Sequence, residues 1–73
     1  MSTPPDPAAI QPLLEALSFS PDNLPLRKHV AGLLRQAGRL PEAEDLYRVG
    51  LRQFPDDAEL QLAALEAGVG ALV

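Results

Sequence analysis

Apolar residues recur along this chain at the spacing of helices. From Pro7 to Ser18, Ile10, Leu13, Leu14 and Leu17 fall at i, i+3, i+4 and i+7, which places them on one helical face. Asp6 stands in the N-cap position before them and Pro7 at the first helical position, where an amide has no intrahelical partner to lose. A second stretch starts after Asn23 and tolerates Pro25 in its first turn. It aligns Leu26, Val30, Leu33, Leu34 and Ala37 on one stripe before Gly38 ends it. The third opens at Pro41, carries Ala43, Leu46, Tyr47, Gly50, Leu51 and Phe54 on one face, and stops at Pro55. The fourth follows Asp56-Asp57, where Asp56 and Glu59 have the spacing of a capping box, and continues through Leu60, Ala64 and Leu65 to about Ala67. No segment reads as a strand, so the pattern predicts an all-α fold of about four helices.

The connections are short enough to force neighbouring helices antiparallel. Pro41 and Pro55 oppose the merging of adjacent helices into one rod. Three segments are expected: a disordered stretch over 1–6, a helical domain over 7–67, and an apolar tail or truncated helix over 68–73. Gly68 and Gly70 set the last boundary, since glycine costs a helix interior about 1 kcal/mol relative to alanine.

The helices repeat. A shift of 34 residues aligns Ala9 with Ala43, Leu13 with Tyr47, Ala16 with Gly50, Leu17 with Leu51, Pro21 with Pro55, Asp22 with Asp56 and Leu26 with Leu60. Small, aromatic or aliphatic, and proline positions agree in a single frame, which is the signature of a helix-turn-helix repeat. Ala43 and Gly50 let two helices approach closely, Tyr47 fills the space left beside them, and Pro55 closes the unit.

These residues resemble the tetratricopeptide repeat (TPR), whose pattern is W-x2-L-G-x2-Y, then A-x3-F, then P. Here Ala43-x3-Tyr47 and Pro55 match its second half. In the first half Arg27 stands for Trp, Ala31 for Gly and Leu34 for Tyr, with Val30 at the aliphatic place; Gly50 replaces the second small residue, usually Ala. The resemblance covers about Pro7 to Ala67: a half repeat, one complete repeat from Leu24, and the first helix of another. It assigns repeat-packing roles to Ala9, Leu13, Ala16, Pro21, Val30, Leu34, Ala43, Tyr47, Gly50 and Pro55.

Composition narrows the chemistry. There is no cysteine and one histidine, His29, which excludes disulfides and a zinc site built from these residues and suits a cytoplasmic protein. Ser18 and Ser20 lack a nucleophile turn. Glu42, Glu44 and Asp45 crowd a helix start, where the dipole favours carboxylates without any catalytic role. The glycines form no phosphate loop, and no segment is long enough to span a membrane. Neither an enzyme nor a cofactor is expected. Net charge is −4, with every cation between positions 27 and 52 and a net −7 on the flanks. The overall sign argues against nucleic acid, and Phe19, Tyr47 and Phe54 make no stacking platform.

A protein or peptide partner is therefore expected. By resemblance, Pro25, Lys28, Gly32, Arg35 and Gln36 line a concave groove in the complete repeat, and Glu59, Leu62 and Glu66 do so in the next half repeat. Lys28 matches a lysine with which some relatives clamp a C-terminal carboxylate, but Gly32 stands where the clamp asparagine belongs. Lys28 and Arg35 would instead form a weak site for an acidic peptide. Repeat stacks also leave apolar faces open at their ends. With about two repeats, the chain is expected to self-associate there, through Leu65, Val69, Leu72 and Val73. A regulatory or adaptor segment at the front of a larger enzyme, such as a bacterial ATPase or kinase, is the remaining reading.

Overall fold

The computed structural model describes residues 7–67. The segments expected to be a disordered N-terminus and an apolar tail lie outside the described residues, as do Val69, Leu72 and Val73. Four α-helices follow one another: α1 (Pro7–Phe19), α2 (Leu24–Gln36), α3 (Leu40–Gln53) and α4 (Ala58–Glu66). The fold is all-α, a fragment of a helical repeat stack. Each helix packs on its neighbours in sequence, α1 on α2, α2 on α3 and α3 on α4.

Two kinds of turn set this order. Between α2 and α3 the chain reverses in three residues. Gly38, at φ 79°, occupies the left-handed region that a Cβ disfavours. Its amide donates to the Arg35 carbonyl at 3.0 Å and the Arg39 amide to the Leu34 carbonyl at 2.8 Å, the paired bonds of a Schellman stop. The other two turns are copies of each other. Asn23 and Asp57, 34 residues apart, are the N-caps of α2 and α4, and their side chains accept from the Leu26 amide at 3.1 Å and the Leu60 amide at 2.8 Å. The Asn23 amide donates to the Ser20 carbonyl as the Asp57 amide does to Phe54. Of the Asp56-Asp57 pair expected before α4, Asp57 is the cap, where the repeat frame set by Asn23 puts it, and the capping-box spacing of Asp56 and Glu59 is not used.

The core consists of Ile10, Val30, Ala31, Leu34, Ala43, Tyr47, Leu60, Ala64 and Ala67. Ala43, Tyr47 and Gly50 of α3 lie buried between α2 and α4. Their counterparts on α1 differ: Ala9 and Ala16 are exposed and Leu13 half-buried. Ile10 and Leu17 carry the burial of α1 instead, because among the described residues no helix precedes α1 to cover its other side.

Helices α2, α3 and α4 meet around Arg27, which is buried. Its guanidinium donates to the Pro21 carbonyl at 2.8 Å and the Leu46 carbonyl at 3.4 Å, so one side chain ties the α1–α2 turn to the middle of α3. Burial pushes its pKa down, yet a guanidinium stays charged. Its Nε has no partner among the described residues. Gly50 makes room for it. A Cβ there would stand 2.9 Å from Arg27 Cδ and 2.9 Å from Leu60 Cδ2.

Substituting two helical glycines should therefore shift stability in opposite directions. Gly50→Ala overpacks the junction and is expected to destabilise by about 1–3 kcal/mol. A Cβ on Gly32 meets nothing within 4 Å, so Gly32→Ala should stabilise by about 0.5–1 kcal/mol through helix propensity. Urea unfolding followed by circular dichroism measures both.

Candidate protein-interaction faces

Helices α2 and α4 present the residues expected to line a groove, and the structure divides them. Lys28 reaches across to the start of α4, with Nζ 3.2 Å from Asp57 Oδ2 and 3.3 Å from a Glu59 carboxylate oxygen. Desolvation opposes its charge, but the hydrogen bonds and field of Asp57 and Glu59 outweigh it and raise its pKa. The Asp57 carboxyl is held below its usual range, first by the Leu60 amide that it caps and then by Lys28, against a desolvation that opposes both. Lys28 is thus committed to the chain's own carboxylates rather than free to join Arg35 in binding a ligand's carboxylate.

Arg35 makes no ion pair among the described residues. It borders an open depression of about 450 Å³ together with Gly32, Gln36 and Leu40. Leu40 was not foreseen as part of this surface: it opens α3 and is 45% exposed. Its nearness follows from the three-residue reversal at Gly38, and it carries no sequence signal beyond its place in that turn. On α4, Leu62, Glu59 and Glu66 are exposed, as are Pro21 and Pro55 in the turns.

Among the described residues, large apolar side chains are also exposed on α1 and α4, besides Val49 on α3. Leu65 on α4 is 59% exposed, whereas Ala31, its counterpart 34 residues earlier, is fully buried under α3. Phe19 at the end of α1 is 86% exposed. Two other surface cations are locally paired: Arg39 with Glu42, which raises the arginine's pKa and lowers the carboxyl's, and Arg48 with Asp45 at 2.9 Å; Arg52, on the exposed side of α3, makes no ion pair among the described residues. Among the described residues no group of three His, Asp or Glu side chains is placed to hold a metal, and no helix is long and apolar enough to cross a membrane.

These shifts fix the sign of a pH dependence. Asp57 and Glu42 titrate lower folded than unfolded, so their stabilisation is complete above the ordinary carboxylate range of about 4 and is lost as pH falls through the depressed folded values. Lys28 titrates higher folded, so its share persists below about 10.4 and fades as pH rises through its raised value. Acid titration of helical signal should show Asp57→Asn, which keeps a cap acceptor but cannot ionise, with a shallower acid limb than the parent.

The family model described as "Tetratricopeptide repeat" matches residues 6–67. No curated protein and no solved structure matches. Repeats of this kind are in general non-catalytic units of protein–protein interaction. The match, the 34-residue recurrence of caps and turns, and the buried small residues of α3 agree: this chain belongs to the tetratricopeptide repeat family.

Proposed function

We propose that this chain is a protein-interaction scaffold that self-associates through the open ends of its repeat stack. The exposure of Leu65, at a repeat position that is fully buried one period earlier, carries this reading. An apolar side chain at a place the fold otherwise covers is an interface waiting for its second half. The absence of cysteine accords with a cytoplasmic setting, and the partner is protein rather than nucleic acid, given the net charge of −4. Light scattering behind size exclusion tests the association: weight-average mass should climb above 7.8 kDa as concentration rises, and a monodisperse 7.8 kDa species across the whole range would exclude it.

A second reading, a groove for acidic peptides, is supported by Arg35 and its depression but not by Lys28, which is already neutralised. Under it, Arg35→Glu removes the affinity seen in titrations with acidic peptides. Lys28→Gln chiefly lowers the melting temperature and leaves that affinity nearly intact.

A further inference from the structure

Among the described residues, α1 and α4 each expose repeat positions that are buried where α2 and α3 meet. Building on the self-association reading, we propose that copies join head to tail, with α4 of one copy lying on the apolar face of α1 of the next in the frame that α2 takes on α3.

Helix α1 is the counterpart of α3, one period earlier, and α4 is the counterpart of α2, one period later. On α3, Ala43, Tyr47 and Gly50 are buried. Their α1 counterparts Ala9, Leu13 and Ala16 are exposed, half-buried and exposed. On α2, Ala31 is fully buried; its α4 counterpart, Leu65, is 59% exposed. Each open face thus lacks the element that the other supplies.

Three further observations fit this pairing. Gln61 of α4 donates its side-chain amide to the Pro55 carbonyl, as Arg27 of α2 donates to the Pro21 carbonyl, so both helices are tied to their turns in the same way. The sizes also match: the long Arg27 lies against Gly50, and the shorter Gln61 would lie against Ala16, whose Cβ needs the room that the shorter side chain leaves. Charge does not oppose the contact. Glu15, Glu59 and Glu66 correspond to Val49, Pro25 and Gly32, none of which is buried, so the acidic side chains fall outside the contacting stripe. A second copy is the occupant because one chain carries both halves in the frame of its own repeat. Such a contact is heterologous, and because it continues the frame of the repeat, it extends the stack from copy to copy as a solenoid does.

Two variants at exposed positions test this, Ala16→Glu on α1 and Leu65→Glu on α4, with Ala9→Glu as a second block on α1 and circular dichroism confirming that each stays helical. The parent mass should grow past the dimer with concentration, while each variant alone associates at least tenfold more weakly. An equimolar mixture of Ala16→Glu and Leu65→Glu should recover one contact and stop at a dimer, because each copy brings one intact face. If Ala16→Glu and Ala9→Glu polymerise like the parent, if Leu65→Glu does so, or if the mixture stays monomeric, the head-to-tail frame is wrong although self-association stands. A parent that stops at a dimer overturns open growth, and a parent that is monomeric throughout removes both readings.

Discussion

A buried guanidinium joins the α1–α2 turn to the middle of α3, and the packing of three helices depends on it. Arg27 takes the place where related repeats carry a large aromatic, and it fills the junction of α2, α3 and α4 with a charged planar group whose two carbonyl partners lie in different parts of the chain. Desolvating a cation is expensive, and with no carboxylate paired to it among the described residues the compensation comes from backbone dipoles. The arrangement holds only because Gly50 has no side chain to compete for the same space. Arginine and glycine are therefore one feature. Either alone would leave a void or a clash, and substitutions at the two positions should not act additively.

Much of the fold was legible because its signals are local and periodic. Four apolar stripes, prolines at helix starts and stops, and Gly38 at a reversal required no knowledge of tertiary structure. What depends on neighbours was not. Ala9 and Ala16 carry the same chemistry as Ala43 and Gly50, yet exposure separates them, because burial is decided by whether another helix lies on top. Asp56 offered a capping box by spacing, and the turn chose Asp57, since backbone geometry rather than side-chain spacing selects the cap. Arg27 registered only as a departure from a motif; nothing in its local sequence indicates that a cation will be enclosed.

The interaction surface shows the same division. Lys28 and Arg35, two turns apart on one helix, suggested a shared site for a carboxylate. Two acidic residues about 30 positions later fold back onto one of them and leave the other open. The charge asymmetry of the chain, with cations in the middle and carboxylates at the flanks, is thus partly consumed within the molecule, holding the start of α4 against α2. What faces outward includes apolar side chains on α1 and α4, with Arg35 beside the groove and Arg52 on α3 making no ion pair among the described residues.

Unequal coverage of the helices also bears on how the molecule opens. Helices α2 and α3 each pack extensively on two neighbours, while α1 packs so on α2 and α4 on α3, the start of α4 being held to α2 by the Lys28 ion pairs. In a one-dimensional array the central pair then exchanges amide hydrogens only through the rare global opening, and the outer helices fray more often. A partner that covers an end turns an outer helix into an inner one. Binding at either face would therefore register as slower exchange throughout the adjoining helix, well beyond the residues it touches.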